Sequence, residues 1–393
     1  MKKSILILTF LFIVALIGLN SCQKDEAPIA LPTTRALVGS DKCATCHKPI
    51  YDVFVESGHP YKVMKIVNGK QPNIPFMPTA IVPDGYTWND ITYTIGGFGW
   101  KMRFIDKNGY NITQVAGSQW NPGNNSRSVY NGTVPNGTEK YTCGNCHTTG
   151  WKSVKDGGKP QDGLPGMDGE FFVGGIHCEA CHGEGNVHVA AQTAKVSVPS
   201  GLNVAVDKTT ALCAKCHERR FATHDLKQQT SGGWEMHRSQ VEQLSTNKHN
   251  TLTCIGCHDP HASTTKDELA KGNGIKTDKT CTKCHTNASK FATNMHYGAT
   301  CVQCHMPQTV KNGISYTKYK GDAPNHNFKI NTSATANYLT PDASNVVWAN
   351  ADKKGSTLDF VCYQCHKDAD NVGGTNSMKS RAELATKAVT FHK

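Results

Sequence analysis

The sequence is poor in apolar side chains for its length. Hydrophobic residues make up 38% of the 393 residues, and aromatic residues make up 8%. A single apolar core usually stops growing at about 250–300 residues, so we expect more than one domain or a core of another kind. Leucine, valine and phenylalanine therefore fill only part of the interior, and another group must supply the remaining apolar surface.

The sequence also lacks an apolar run long enough to cross a membrane. Its longest run covers 15 residues, from Ile5 to Leu19, whereas a membrane-spanning helix needs roughly 20. Lys2 and Lys3 precede the run, as in a secretory signal peptide. Cys22 stands where a bacterial lipoprotein signal is cut and the new N-terminal cysteine is lipidated. We predict a lipoprotein signal peptide over residues 1–21, a diacylglycerol anchor on Cys22 and a linker over 22–40, with a transmembrane helix as the alternative.

The residues directly after Cys22 indicate where in the cell the protein is located. The charged segment 23–26 resembles a short tag that directs lipoproteins to the cell surface, and an ordinary solvated charge run is the alternative. We therefore expect an exported protein at the outer membrane, on its periplasmic or cell-surface face.

Cysteine, in contrast, is abundant, and its spacing is regular. Sixteen of the 17 cysteines form Cys-x-x-Cys pairs, and a histidine directly follows every pair. In chain order, motifs 1 to 8 are Cys43/Cys46/His47, Cys143/Cys146/His147, Cys178/Cys181/His182, Cys213/Cys216/His217, Cys254/Cys257/His258, Cys281/Cys284/His285, Cys301/Cys304/His305 and Cys362/Cys365/His366. Cys22 alone lies outside this pattern.

This spacing is typical of c-type haem attachment. Two thiols add across the two vinyl groups of one haem, and the adjacent histidine binds the iron as the proximal ligand. Zinc sites would require grouped pairs in tetrahedral sets, and neither zinc nor disulfides would require a histidine after every pair. The motifs therefore predict eight covalently attached c-type haems.

The remaining histidines are candidates for the opposite, distal side of each iron. Ten of the 18 histidines lie outside the motifs, which is enough to give each of the eight irons a second histidine ligand. Our eight predicted distal ligands are His59, His188, His237, His249, His261, His296, His326 and His392. His177 and His224 are the predicted spares. Methionine is the alternative type of ligand, although Met306 is too close to its own motif to reach the opposite face.

The basic net charge does not indicate a nucleic-acid partner. The formal charge is +11, and it becomes +9 once Lys2 and Lys3 are removed with the signal. Each ferric haem with two ionised propionates adds about −1, and each ferrous haem adds about −2. The mature holoprotein is therefore expected to be near neutral when oxidised and acidic when reduced.

The spacing of the motifs predicts the organisation of the chain. About a hundred residues separate motifs 1 and 2, and within them residues 86–95 and 99–105 alternate and are rich in β-formers. We expect a small antiparallel β module near residues 85–115, and a type I′-like turn at 107–110. The remaining fold is predicted to be mainly α with much irregular structure. The predicted domains are 41–142, with the first haem and the β module, and 143–393, with seven haems.

Three motifs, with the residues that follow them, resemble the multihaem cytochrome superfamily. They are the segments that begin at Cys178 (CEACHGEG), Cys254 (CIGCHDPH) and Cys301 (CVQCHMP). The superfamily includes the tetrahaem cytochrome of ammonia oxidisers, hydroxylamine oxidoreductase, pentahaem nitrite reductase and octahaem tetrathionate reductase. The resemblance implies stacked haems in alternating parallel and perpendicular pairs and a largely helical fold. No Cys-x-x-Cys-Lys motif is present, so the lysine-ligated catalytic haem of pentahaem nitrite reductase is not expected.

These patterns favour an electron-transfer protein over an enzyme. An iron with both axial positions filled passes electrons but binds no substrate. Other redox proteins, either quinol-linked or cytochromes, are the expected partners, together with the membrane through the lipid. The alternative is an octahaem oxidoreductase acting on a small nitrogen or sulfur compound at one open haem, with His177 or His224 as acid or base. A third hypothesis is a filament subunit, and the sequence leaves oligomerisation open.

Overall fold

A computed structural model describes residues 30–219, 226–266, 268–288, 296–366, 379–389 and 391. The predicted signal peptide, Cys22, His224 and His392 lie outside these residues. Within them, no helix has the length and apolarity that crossing a bilayer requires.

The fold is mixed α/β, and the prediction of a mainly α fold is wrong. The chain is 27% helical and 20% strand, with several sheets. The described helices are short apart from the first, and they are α1 Ser40–Phe54, α2 Gly144–His147, α3 Cys178–His182, α4 Asn186–Ala194, α5 Thr210–His217, α6 Gln240–Leu244, α7 Cys281–Cys284, α8 Cys301–His305, α9 Leu358–Cys362 and α10 Arg381–Ala388. The described strands are β1 Val63–Lys65, β2 Ile91–Gly96, β3 Met102–Asp106, β4 Gln119–Asn121, β5 Ser126–Ser128, β6 Thr148–Thr149, β7 Lys152–Ser153, β8 Gly169–Glu170, β9 Val173–Gly174, β10 Gln228–Ser231, β11 Trp234–Met236, β12 Val310–Thr317, β13 Lys320–Ala323, β14 Ile330–Asn331, β15 Leu339–Pro341, β16 Val347–Ala349 and β17 Ser356–Thr357.

An antiparallel sheet lies where the alternation predicts one, but it is larger than expected. Strands β1 to β5 pair in chain order, so the sheet spans residues 63–128. A bulge between Ile91 and Tyr93 shifts the register. Because one extra residue reverses the phase of side chains, Ile91 packs into one apolar cluster and Tyr93 into another. The sheet is thereby covered on both faces.

A second, six-stranded sheet has no counterpart in the sequence-based prediction. Its strand order is β13-β12-β11-β10-β16-β15, and all neighbours are antiparallel except β11 and β12. Its interior combines an aromatic cluster of Trp234, Tyr338 and Phe360 with buried polar residues. Glu235, for example, is 1% exposed and accepts hydrogen bonds from Gln243 (2.8 Å), Tyr338 (2.7 Å) and Thr309 (2.9 Å).

The described residues form two compact units. The smaller contains the segment up to Ala36 together with Glu184–Val204, and the larger contains Leu37–Gly183 with Ala205–Lys393. In the smaller unit, the Asn186 side chain joins helix α4 to the N-terminal segment, because it accepts from Ala36 N (2.7 Å) and donates to Thr34 O (2.9 Å). All eight motifs lie in the larger unit. Motif 1 lies on helix α1, six others lie on or beside short helices, and motif 5 lies at a 3₁₀ turn, Cys254–Gly256.

Candidate haem sites

Five predicted distal histidines each lie opposite the histidine of a motif. The distances between ring centroids fall between 5.3 and 6.4 Å. The pairs are His59 with His217, His261 with His182, His249 with His285, His326 with His258, and His296 with His366. Each pair therefore combines a motif histidine with a histidine from another part of the chain.

The spacing of four of these pairs fits an iron between the two imidazoles. Metal–imidazole bonds about 2 Å long place two opposed ring centres roughly 6 Å apart. The pairs that involve His59, His249, His261 and His326 lie at 6.4, 5.9, 6.2 and 6.1 Å. The fifth pair is tighter, since the Nε2 atoms of His296 and His366 are 3.1 Å apart. Both of its rings nonetheless direct Nε2, a nitrogen that ligates iron, toward the partner.

Several of these rings are oriented through their other nitrogen. The Nδ1 atom of His182 lies 2.6 Å from Ala205 O, and that of His261 lies 3.2 Å from Asp259 Oδ1. His305, the histidine of motif 7, is held in the same way, with Nδ1 2.8 Å from Phe328 O. A bond at Nδ1 fixes the ring and its tautomer, and it leaves Nε2 available to a metal. The surrounding loops therefore hold these histidines in the form that haem ligation needs.

The motif cysteines also suit haem attachment. All sixteen are free thiols. In the part of the chain that the structure describes, no three His, Cys, Asp or Glu side chains converge as the zinc alternative requires.

Motif 1 lacks the facing histidine that the sequence predicts, and its Cys46 and His47 are exposed, as are Cys284 and His285 of motif 6. Among the described residues, no histidine ring faces His47, whereas five other motif histidines have such a partner. Cys46 accepts only from the neighbouring Thr45 hydroxyl, at 3.8 Å. Cys43, in contrast, is half-buried and contacts the thiol of Cys178. The structure therefore encloses one thiol of motif 1 and leaves its second thiol and its histidine open.

The local cause is the position of motif 1 on helix α1. Pro49 lies within this helix, and His47 leaves the helical conformation, with φ −109° and ψ 37°. Proline has no N–H to continue the helical bonds, and its ring crowds the preceding turn, so a kink at His47 follows. The helix around Cys46 and His47 is exposed on its outer side. Their role as haem ligands stays a prediction from the motif, without the facing histidine that supports motifs 3, 4, 5, 6 and 8.

The other candidate histidines have different surroundings. His188 lies in the smaller unit, with Nδ1 3.0 Å from Asn203 Oδ1. His177, a predicted spare, is engaged at both ring nitrogens, by Ser40 Oγ at 3.0 Å and Gly174 O at 3.1 Å. His237 is half-buried, and loss of solvation together with nearby cations holds its pKa far below the usual value. The structure thus brings five of the eight predicted distal histidines to a motif histidine. His237 lies among Lys101, Arg103 and Arg238, the same cations that act on His147 of motif 2, and His188 lies in the smaller unit.

Basic side chains gather around motif 2. Burial is the main reason that the pKa of His147 falls to about 3, and the positive charges of Lys62, Arg238, Lys101 and Arg103 lower it further. Lys62 and Lys101 are themselves half-buried, and loss of solvation lowers their pKa values to about 8 and about 7. Arg238 lies 3.5 Å from the thiol of Cys146.

These basic residues are held by the two large sheets. Lys101 donates to Asn312 O at 2.6 Å, and Arg103 donates to Gln119 Oε1 at 3.0 Å. The guanidinium of Arg103 also lies 3.5 Å from the centre of the Tyr130 ring. Sequence reasoning missed this cluster, because its members are scattered along the chain. The one feature of the sequence that could have indicated the cluster was the presence of two basic residues, Lys101 and Arg103, within a predicted strand.

The motifs are neighbours in space through their cysteines. Four pairs of thiols from different motifs lie close enough for one thiol to shift the pKa of the other, and they join motifs 1 and 3, 2 and 4, 4 and 5, and 6 and 7; the pairs are Cys43–Cys178, Cys146–Cys216, Cys213–Cys254 and Cys281–Cys301. Electrostatic contacts join three further pairs of motifs, through Cys181–Cys213, Cys257–Cys281 and Cys304–Cys365. Motifs 1, 3, 4, 5, 6, 7 and 8 therefore form one continuous line, and motif 2 branches from motif 4.

Comparisons with known families agree with the motif chemistry. Residues 247–290 match the model of the doubled CXXCH motif, and residues 115–183 match the model of cytochrome c554 and c-prime. No curated protein sequence matches the chain.

The chain is also similar in fold to solved structures of multihaem proteins. The octahaem sulfite reductase MccA of Wolinella succinogenes is 18% identical, with a TM-score of 0.62 over 92% of this chain and 72% of that one. An undecahaem cytochrome from the S-layer of Carboxydothermus ferrireducens is 20% identical over 78% of this chain and 54% of that one, with a TM-score of 0.46. The outer cell wall cytochrome OcwA is 16% identical over 91% of this chain and all of that one, with a TM-score of 0.45.

Proposed function

We propose that this chain, a multihaem c-type cytochrome, transfers electrons through eight haems, seven of them in a line and the haem of motif 2 on a branch. The observation that carries the proposal is the spatial order of the motifs, since the cysteines of each motif lie near enough to those of a neighbouring motif to interact electrostatically. Each haem would supply a one-electron redox centre. The protein's own contribution is to hold the attachment points in contact, so that no motif is isolated from the line.

The facing histidines support transfer rather than substrate chemistry. His59, His249, His261, His296 and His326 are placed to fill the second axial position at five motifs. An iron at such a site would gain or lose an electron without exchanging an axial ligand, because the fold holds both histidines in place. We further propose His188, His237 and His392 for the three remaining motifs, one of which is motif 1 with its exposed His47.

We also propose that the protein works outside the cytoplasm as an outer-membrane lipoprotein. The lipid on Cys22 would hold it at the surface, and other redox proteins would deliver and accept its electrons. The cysteine content agrees with an exported chain whose thiols are consumed by haem attachment.

The basic cluster at motif 2 favours a second candidate function. A site lined by Lys62, Lys101, Arg103 and Arg238 attracts negative charge, and it lies beside His147. If the haem of motif 2 keeps an open axial position, the chain is an oxidoreductase for a small anionic nitrogen or sulfur compound. The relative of similar fold, MccA, is named as a sulfite reductase.

One experiment separates the two functions. The purified holoprotein is reduced fully, and its spin state and carbon monoxide binding are measured per haem. Electron transfer alone predicts low-spin iron throughout and negligible gas binding, because every axial position is filled. The enzyme predicts one high-spin, gas-binding haem in eight, and this signal should change in Lys101→Met or Arg103→Met. A signal far below one haem per chain would indicate damaged molecules.

A further inference from the structure

The turn between strands β12 and β13 carries a basic and aromatic surface. Lys318 is exposed, Lys320 is half-buried, and Tyr316 is 51% exposed. Lys318 Nζ lies 5.4 Å from the centre of the Tyr319 ring, and Lys320 Nζ lies 5.7 Å from that of Tyr316. The ammonium groups thus sit over aromatic rings at the surface of the protein.

This turn is in contact with motif 8, one end of the line of motifs. The Tyr319 ring lies 5.1 Å from that of Tyr363, the residue directly after Cys362. Tyr319, Ile330 and Cys362 also pack against the same apolar cluster, which is centred on Leu358. The surface around the turn therefore covers the place where the last haem is attached.

Three more lysines extend the basic surface. Lys329 precedes Ile330, and its carbonyl accepts from Ser356 N at 2.9 Å, which brings the 353–355 segment beside it. Lys329, Lys353 and Lys354 are all exposed. We call the five residues Lys318, Lys320, Lys329, Lys353 and Lys354 the lysine patch.

The acidic residues of the same segments are occupied by other donors. Asp352 accepts from Lys354 N at 3.0 Å and from Asn331 Nδ2 at 3.4 Å. Asp359 accepts from the Thr357 hydroxyl and from Phe360 N. These donors are neutral, so the carboxylates keep their charge, but the five ammonium groups of the patch outnumber Asp322, Asp352 and Asp359 in these segments.

We infer that the lysine patch docks a redox protein with an acidic surface, and that electrons pass between this partner and motif 8. The inference rests on the proposed electron-transfer function. The holoprotein as a whole becomes acidic on reduction, because the haem propionates outweigh the lysines. A basic patch at one end of such a molecule orients an acidic partner toward that end and speeds their encounter.

The test uses an acidic flavodoxin as the probe and the complete holoprotein. Flavodoxin hydroquinone donates one electron to the oxidised cytochrome and becomes the semiquinone, and stopped-flow absorbance gives the second-order rate. We expect this rate to fall as ionic strength rises. Lys318→Glu with Lys320→Glu should lower it about tenfold at low ionic strength, whereas the two Gln changes should have a smaller effect.

The matched control reverses the charge of two exposed lysines that lie outside the lysine patch, Lys155→Glu with Lys159→Glu. Both double variants have the same net charge, so only a local patch makes them differ. Haem content and the circular dichroism spectrum show whether each variant is folded. Equal slowing in both variants, or a rate independent of ionic strength, would overturn the docking inference while electron exchange itself persists. No exchange with flavodoxin or with a basic cytochrome c, in protein that dithionite reduces, would instead refute the proposed function.

Discussion

Single histidines determine how many irons are closed to ligands. His249 is paired with His285 and is only partly buried, so its removal should disturb the fold little. We predict that His249→Ala creates one high-spin haem that binds carbon monoxide, because the lost imidazole exposes an iron to water or gas. The measurement is gas binding per haem in the reduced holoprotein.

His177 provides the control for that experiment. Both of its ring nitrogens are engaged by hydrogen bonds within the protein. His177→Gln should therefore leave the spin state and the gas binding unchanged. A gas-binding haem in this variant, or none in His249→Ala, would contradict the assignment of axial ligands.

Glu235 makes a pH-dependent contribution to stability. Burial raises its pKa to about 7, although Gln243, Tyr338 and Thr309 donate hydrogen bonds that oppose the rise. Between the unfolded pKa of about 4.3 and this folded value, the native state binds the extra proton, so stability falls as pH rises through this window. The loss is of order 3 kcal/mol and is complete above the folded pKa. Denaturant titrations at pH 5 and pH 8 should show it in the wild type and not in Glu235→Gln.

The motif residues could be predicted from the sequence, but their pairing could not. Haem attachment is encoded locally, because two cysteines and a histidine must lie within five residues of one another. The choice of His59 for His217 depends on the tertiary fold, which brings residues 158 positions apart to within 6.4 Å. His237, predicted as a ligand from its position between motifs, lies close to Lys101 and Arg219, and no local pattern indicates this.

The enclosure of a motif could not be predicted from its spacing either. Cys46 and His47 have the same spacing as the cysteine and histidine of every other motif, yet the structure leaves both exposed on helix α1. His217, in motif 4, has the His59 ring opposite it at 6.4 Å, whereas among the described residues no histidine ring faces His47. The difference depends on which distant segments pack over each motif, and the residues within a motif do not encode that packing.

Among the elements, helix α1 is anchored to motif 3 by a carboxylate. Glu179 lies inside that motif, and it accepts from Val38 N and from Gly39 N at the start of the helix, at 2.8–3.1 Å. Negative charge at a helix N-terminus is stabilising, and it satisfies backbone donors that the helix leaves unpaired. We predict that Glu179→Gln lowers the free energy of unfolding by about 1–2 kcal/mol.

Chemical denaturation, followed by circular dichroism, measures this loss. Glu184→Gln is a suitable control, since Glu184 forms a half-exposed pair with Arg35 at 3.7 Å, and exposed pairs are worth about 1 kcal/mol or less. Equal losses in the two variants would contradict a special role for Glu179.

Strands were predicted correctly where apolar and polar residues alternate strongly, and they were missed where the buried residues are polar. Strands β2 and β3 follow the alternating pattern, and they lie close to the predicted boundaries. The six-stranded sheet was missed because all of its strands except β12 are short and because it buries polar residues such as Gln228, Glu235 and Asp322. The turn after β3 was predicted as type I′, but only Gly109 has a positive φ, of 87°, and Asn108 does not.

For the whole molecule, we predict eight haems per mature chain. Intact mass and a haem-to-protein assay measure the number directly. Cys143→Ala with Cys146→Ala should lower the number by one, because both thiols of motif 2 are lost. Seven or fewer haems in fully matured wild-type protein would contradict the assignment of all eight motifs.

Attachment to the membrane should depend on Cys22. A mature N-terminus without lipid has no apolar run that holds a bilayer. Cys22→Ser is expected to yield soluble or unprocessed protein in cell fractionation. Processed protein that stays with the membrane in this variant would refute the lipid anchor.

The branch at motif 4 gives the line a junction. Through Cys213 and Cys216 this motif adjoins motifs 2, 3 and 5, so three routes meet at one point. A defect at the junction would isolate three separate segments, whereas a defect at motif 2 would leave a through-route from motif 1 to motif 8. The network therefore tolerates loss of its side arm, and its most damaging point of failure is the motif that His59 faces.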